Sequence, residues 1–210
     1  MKHNYRTRLF LLGGAISAPL FFLIAIAQAF TRTGFDIKRH AISTLTLGDL
    51  GWIQSVNFIV TGLLAILAAI GAYGLFKKGK GRAGLWLIGV YGVGMIMAGL
   101  FKPDPGLGFP SGAPEGLPTS MSGEAALHSL AFFMAFICLI AAMVAFSRRF
   151  RVLGERGWGV YCLLSAILAP LLIVAGMVIS SFVGVIMAIA GMIAFGWVSS
   201  LAARLLNEGS

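Results

Sequence analysis

A few side chains capable of chemistry stand out in a chain that is otherwise apolar. His40 and Ser43 lie three residues apart, a spacing that puts both on one face of a helix. Asp104 stands between two prolines, and His128 follows Glu124 by four residues. His128 is a candidate base for the Ser43 hydroxyl. Alternatively, His40, Asp104 and His128 match in number the three protein ligands of a catalytic zinc. No H-x-x-x-H or H-E-x-x-H spacing brings two such ligands together locally.

A second polar set lies inside an apolar run. Gln54, Asn57 and Thr61 follow the i, i+3, i+7 spacing of one helix face, within residues 50–76, which contain no charged side chain. Because polar side chains are costly in lipid, this stripe is predicted to face protein or trapped water.

The composition indicates a membrane protein. Hydrophobic residues make up 59 % of the chain and charged residues 11 %, against roughly a quarter charged in soluble proteins. The net charge of +9 falls in short basic clusters between apolar runs, which is an orientation pattern and not a nucleic-acid surface. Cys138 and Cys162 occur in different apolar runs and are predicted to be small core residues, not a disulfide.

The apolar runs predict an all-α, polytopic membrane protein. A span of the hydrocarbon core needs about 20 residues, so the charge-free runs predict a bundle of six transmembrane helices in one integral membrane domain over residues 1–210. The first run also resembles a signal peptide, but its length favours a retained helix, kinked at Pro19. The predicted helices cover residues 9–30, 52–76, 83–101, 124–146, 157–179 and 182–204.

The basic residues predict the orientation. Twelve of the sixteen Lys and Arg residues fall on the side of the two termini, which predicts a multipass plasma-membrane protein with both termini cytoplasmic. Four tryptophans then form an aromatic belt at the two interfaces, namely Trp52, Trp86, Trp158 and Trp197.

Three connecting segments carry further predictions. Residues 36–47 are predicted to form a short helix lying on the membrane, with Lys38 and Arg39 on its polar side. Residues 102–123 contain five of the seven prolines and are predicted to form a structured loop or lid. Residues 147–151 are predicted to form a basic turn after the fourth helix. Within the third helix, five glycines are predicted to allow close packing against neighbouring helices.

With this topology the polar residues fall on the outer side, where they are predicted to share one outward-facing pocket. Each also has a structural reading, such as a helix cap, a turn or an interhelical hydrogen bond. The predicted pocket residues are His40, Ser43, Gln54, Asn57, Asp104, Glu124 and His128, with Asp49 nearby.

Three stretches of this sequence resemble a known family. They are H-A-I-S-T-L followed by G-W-I-Q-S-V-N-F-I-V-T-G, then A-G-L-F-K-P-D-P-G-L-G-F-P, then S-G-E-A-A-L-H. They resemble the prokaryotic multipass membrane family catalogued as domain of unknown function 998, over helices one to four and, by hydropathy only, the last two. The resemblance implies a six-helix membrane protein and no particular reaction.

Two functions remain open at this point. The first is a membrane protein without catalytic activity, whose outer pocket binds or senses a lipid headgroup or small solute and whose partners are membrane lipids; it needs no cofactor and no metal. The second is a membrane-embedded lipid hydrolase that uses His40, Ser43, Asp104 and His128, with or without a metal. A bis-histidine haem bundle is disfavoured because only His128 falls inside a predicted helix.

Overall fold

The protein is a bundle of six long helices. The computed structural model describes residues 4–76 and 80–208, apart from the side chains of Lys80 and Ser180. Within these residues it contains no strand, and all six helices are long and apolar enough to cross a membrane. The predicted all-α, six-helix, multipass architecture is confirmed. The helices are α1 Tyr5–Thr31, α2 Gly51–Tyr73, α3 Lys80–Leu100, α4 Gly123–Val152, α5 Arg156–Val178 and α6 Val183–Asn207.

The helices form a closed ring. Each packs mainly on its neighbours in the chain, and α1 closes the ring by packing on α6. The segments 32–50, 101–122 and 179–182 lie together at one end, which we call the loop end. The opposite end, which we call the basic end, carries Asn4, the α4–α5 turn and Glu208.

Small residues set the distance between α2 and α3. A Cβ atom on Gly92 would lie 2.6 Å from the carbonyl oxygen of Gly62, and one on Gly99 would lie 2.6 Å from that of Ser55. Only glycine leaves room for backbones this close, as is common between membrane helices. The prediction that the α3 glycines permit close packing holds for Gly92 and Gly99 against α2 and for Gly84 and Gly94 against α4, but a Cβ on Gly89 would meet no atom within 4 Å.

Pro19 in α1 is accommodated by α6. A proline inside a helix disturbs the hydrogen bonds of the preceding turn. The backbone N–H of Ala18 donates to Oγ of Ser199 at 3.0 Å, and the carbonyl oxygen of Gly14 accepts from Oγ of Ser17 at 2.8 Å and from Oγ of Ser199 at 2.9 Å. Side chains thus satisfy the backbone groups inside the membrane, as the absence of water there requires.

The predicted basic turn at residues 147–151 is wrong, because α4 continues to Val152 and turns only at residues 153–155. Arg149 and Arg151 lie in its last turn, where the helix dipole favours cations. Hydropathy therefore marked where the apolar span ends and not where the helix ends. Arg204 of α6 pairs with Glu155 and lies 4.7 Å from the ring centroid of Phe150, which fixes this end of the ring.

One tryptophan departs from the predicted belt. Trp52 and Trp86 are exposed on the outside of the bundle, but Trp197 is fully buried. Its Nε1 donates to Sγ of Cys162 at 3.3 Å, and its ring packs on Phe146. Trp197 is therefore a core residue between α5 and α6.

The predicted surface helix over residues 36–47 is also wrong. Residues 37–39 form a turn, and only Ile42–Thr46 is helical, as a short 3-10 helix whose Leu45 is fully buried. Oδ1 of Asp36 accepts from the backbone N–H of Lys38 at 2.9 Å, and Nδ1 of His40 accepts from the backbone N–H of Asp36. These side chains at the two ends of the turn bind backbone groups and so compete with a continuous helix. The segment packs on α6, where the N–H of Gly184 donates to the carbonyl oxygen of Lys38 at 3.2 Å.

Candidate functional site

His40 joins the two long loops of the loop end. It is 3 % exposed; Nδ1 accepts from the backbone N–H of Asp36 at 2.9 Å and Nε2 donates to the carbonyl oxygen of Leu107 at 3.0 Å. These partners select the tautomer with the proton on Nε2. The ring also packs against Phe35 and Phe109, at 5.4 Å from each centroid. Both nitrogens are therefore occupied by backbone groups.

A small second core holds the loops over the bundle. Phe109 is 1 % exposed and packs with the buried Leu45 and Leu47. Arg32 lies 5.4 Å from the Phe109 centroid and donates to the carbonyl oxygens of Leu45, at 3.2 Å, and Leu47, at 2.6 Å. We call segments 32–50 and 101–122 together the loop cap, because their side chains cover this end of the ring.

The loop of residues 101–122 is folded on itself. The backbone N–H groups of Leu107 and Gly108 donate to the carbonyl oxygens of Gly116 and Pro114, each at 2.9 Å. Leu107 has a φ of +56°, a left-handed conformation that is strained for a residue with a branched side chain. The predicted structured loop is present, and Leu107 is held in place by the His40 bond.

Asp104, Glu124 and His128 fix the junction between α3 and α4. Oδ2 of Asp104 accepts from the N–H of Ser122 at 2.9 Å, and Oε1 of Glu124 accepts from the N–H of Lys102 at 3.0 Å. Hydrogen bonds from the side chain and backbone of Ser122 lower the pKa of Asp104. Nδ1 of His128 donates to the carbonyl oxygen of Phe101 at 2.9 Å.

Gln54 and Asn57 belong to a buried network between α1 and α2. Oε1 of Gln54 accepts from Nε2 of Gln28 at 2.8 Å and from Nδ2 of Asn57 at 3.2 Å, and Nδ2 of Asn57 also donates to the carbonyl oxygen of Phe21 at 3.0 Å. Gln54, Asn57 and Thr61 are at most 3 % exposed, so the predicted stripe does face protein. Among the described residues, Oε1 of Gln28 and Nε2 of Gln54 find no partner.

Ser43 lies beside an apolar cavity of about 190 Å³ beneath the 3-10 helix. The cavity is bounded by α1, α2, α4, α6 and residues 41–43. Six phenylalanines contribute to its wall: Phe21, Phe22, Phe58, Phe132, Phe136 and Phe195. We call it the phenylalanine cavity.

A cleft of about 670 Å³ opens next to it at the loop end. Its wall combines charged residues of the first loop with apolar residues of the second loop and of α5 and α6. Val183 lines both the cleft and the phenylalanine cavity, so the two spaces adjoin. The cleft is lined by Asp36, Lys38, Arg39, Leu107, Leu117, Gly176, Met177, Ser181 and Val183.

The structure brings the seven predicted pocket residues together only in groups. Gln54 bonds to Asn57, while Asp104, Glu124 and His128 share the start of α4. Neither group includes His40, whose two ring nitrogens bind backbone groups, or Ser43, which lines the apolar cavity. Within residues 4–76 and 80–208, no three His, Cys, Asp or Glu side chains are close enough to hold a metal ion.

Several residues of this region were not singled out from the sequence. Arg32 was counted only as an orientation charge, and Phe109 only as part of a proline-rich loop. No pattern in the sequence distinguishes the phenylalanines of the cavity from lipid-facing or core residues. The pairs Phe21–Phe22 and Phe132–Phe136 are visible in the sequence, but only the rotation of each helix decides that they face one space.

Comparison with known families agrees with this architecture. The chain belongs to the family described as "Protein of unknown function (DUF998)", whose model matches residues 15–204 and so reaches into all six helices. The protein is therefore an integral membrane protein of that family. No curated protein matches the chain, and no solved structure does.

Proposed function

We propose that this protein binds the headgroup of a membrane lipid in the cleft at its loop end. The observation that carries the proposal is the composition of the cleft wall. Lys38 and Arg39 supply cationic groups, whereas Leu107, Met177 and Val183 supply apolar surface directly above the membrane-spanning helices. A concave, mostly apolar wall with a few polar groups is typical of a ligand site.

The charges of the cleft favour an anionic headgroup. The cleft carries the two cationic groups of Lys38 and Arg39 against the single carboxylate of Asp36, which accepts the backbone N–H of Lys38 at 2.9 Å. Lys38 and Arg39 are exposed and form no ion pair with any residue in the described part of the chain. A basic side chain near an anionic membrane surface contributes about 1 kcal/mol to lipid attraction.

The wall of the cleft is held in place before any ligand binds. Leu107 is fixed by His40, and Lys38 is fixed by Gly184 of α6 through their backbone groups. A Cβ on Gly184 would lie 2.1 Å from the carbonyl oxygen of Ile37, so the loop contacts the helix backbone directly. Pre-organisation of this kind reduces the entropic cost of binding.

We further propose that the loop end faces the outside of a prokaryotic plasma membrane. The support is the distribution of charge along the sequence, since twelve of the sixteen Lys and Arg residues fall on the side predicted for the two termini. The ligand would then be a lipid of the outer leaflet.

The test is thermal stabilisation of the purified protein in neutral detergent. Phosphatidylglycerol should raise Tm more than phosphatidylcholine, and the difference should shrink at high salt, because exposed charges are screened. The double variant Lys38→Gln/Arg39→Gln should lose the difference. The matched control, Arg148→Gln/Arg156→Gln, removes two exposed charges near the basic end and should keep it.

Two results would contradict the proposal. One is an equal response of the wild type and the Lys38→Gln/Arg39→Gln variant to phosphatidylglycerol. The other is the same stabilisation by free glycerol 3-phosphate as by the lipid, which would indicate a soluble anion as the ligand.

A further inference from the structure

We propose that the phenylalanine cavity is the subsite for one hydrocarbon chain of the bound lipid, so that cleft and cavity together bind an anionic amphiphile. This rests on the proposed function for the headgroup half. The two spaces share Val183. The cleft is lined in part by charged side chains, whereas the cavity is lined almost wholly by apolar ones. Headgroup and chain of a single lipid have that same division.

The cavity suits hydrocarbon and not water. Its wall is almost wholly apolar, and a buried water needs two to four polar partners. An apolar cavity of about 150 Å³ stays dry and accepts benzene, so a space of about 190 Å³ holds a short segment of a chain. An empty cavity of this kind forfeits the dispersion contacts of its lining, and a hydrocarbon chain restores them.

The phenylalanine rings form a connected wall. Phe21 packs edge-on against Phe58 at 5.1 Å and against Phe195 at 5.3 Å between centroids, which fixes the inner side. Phe132 and Phe136, 4.7 Å apart, are half-buried on α4. Rings held by one another in this way keep the cavity open, because none can turn into it without losing its neighbours.

The occupant is a chain and not a partner helix. A helix with its side chains is about 10 Å wide, far larger than a space of about 190 Å³. The lining residues Phe21, Phe58, Gly191 and Phe195 are buried, whereas Phe22, Phe132, Phe136, Met187 and Ala188 are half-buried. Helix α4 packs on α3 and α5, and α6 packs on α1 and α5, so α4 and α6 contact each other little. On this proposal the chain enters between these two helices.

The test uses phosphatidylglycerol that carries a photoreactive diazirine in one chain. After irradiation of the protein in nanodiscs, adducts are located by peptide mass spectrometry. We expect adducts on Phe136 and Met187, which line the cavity, above the level on Ile137 and Ile189, which are exposed on the outside of the same helices.

A pair of glycine variants on α6 supplies the control. A Cβ on Gly191 would lie 3.4 Å from Phe22 and 4.0 Å from Phe195, so Gly191→Leu places its side chain among the rings. A Cβ on Gly196 would meet no atom within 4 Å. Gly191→Leu should reduce cavity adducts about tenfold, and Gly196→Leu should leave them unchanged. Ala188→Leu, at another lining position, replaces Gly191→Leu if that variant does not fold.

The outcomes separate this inference from the proposed function. Phosphatidylglycerol with six-carbon chains should stabilise Gly191→Leu as well as the wild type, because its headgroup still reaches the cleft. Adducts that persist in Gly191→Leu and Ala188→Leu, or that fall equally on Ile137 and Ile189, would overturn the chain subsite while leaving headgroup binding intact. Absence of any phosphatidylglycerol effect on the wild type would instead overturn the proposed function.

Discussion

At the scale of single residues, His40 illustrates how a side chain suited to catalysis is used to hold backbone. Its two ring nitrogens bind one residue of each loop, and its ring packs between two phenylalanines. Ser43, the hydroxyl candidate of the sequence analysis, lines an apolar cavity. The geometry thus gives His40 a positioning role in the loop cap.

Replacement of His40 by phenylalanine separates the hydrogen bonds from the ring contacts. His40→Phe keeps an aromatic ring against Phe35 and Phe109 but leaves the N–H of Asp36 and the carbonyl of Leu107 unpaired. We expect a loss of about 1–3 kcal/mol in the free energy of unfolding and faster hydrogen exchange over residues 101–122. Thr33→Ala, at an exposed position in the same loop as His40, should change neither the free energy of unfolding nor the hydrogen exchange. Unaltered exchange in His40→Phe would show that the loops do not depend on this link.

At the scale of helices, the packing of α2 on α3 depends on where each glycine falls. Gly62 and Gly92 face each other across the interface, and a Cβ on either would lie within 2.6 Å of the other's carbonyl oxygen. Backbone cannot yield as a flexible side chain does, so any larger residue must separate the helices. The space available for a side chain therefore differs sharply between Gly92 and Gly89, which lies three residues earlier on the same helix.

We expect Gly92→Ala to destabilise the protein by about 1–3 kcal/mol, as overpacking does in other cores. Gly89→Ala adds the same methyl group where no atom lies within 4 Å, and should be neutral or slightly stabilising, because alanine is the better helix former. Thermal unfolding of both variants in one detergent measures the difference. Similar Tm values for the two would indicate that the helices do not approach this closely.

At the scale of the whole molecule, the ring has two unlike ends. The loop cap gathers the cleft and the His40 link at one end, whereas the other end carries the Arg204–Glu155 pair and most of the basic residues within 4–76 and 80–208. The cleft can serve only the leaflet and compartment on its own side. Orientation in the membrane therefore decides which lipids it meets.

Cysteine labelling in intact cells measures that orientation. Ser111→Cys in the loop cap and Leu153→Cys at the α4–α5 turn both introduce exposed thiols. An impermeant maleimide should label Ser111→Cys in intact cells and Leu153→Cys only after permeabilisation, because basic segments are retained on the cytoplasmic side. The native Cys138 and Cys162 lie inside helices α4 and α5 and serve as the background. The reverse labelling pattern would invert the assigned orientation.

The sequence by itself determined the number of spans and the burial of the Gln54, Asn57 and Thr61 stripe. Both follow from local rules, since a backbone in hydrocarbon must bond to itself and a polar side chain there must turn toward protein. The cap of α4 is equally local, because Ser122 accepts the N–H of Ala125 at 3.1 Å and Glu124 lies in the first turn. In each case the determining groups lie within a few residues of one another.

Only the tertiary structure decided which polar residues meet and where the cavities lie. The contacts His40–Leu107 and Ala18–Ser199 join segments 67 and 181 residues apart, and no local pattern fixes the distance or rotation that makes them. The same applies to the phenylalanine cavity, whose rings come from four helices. Residues 36–47 were mispredicted for this reason, because an amphipathic pattern fits a surface helix until His40, Asp36 and the backbone of Gly184 supply competing partners.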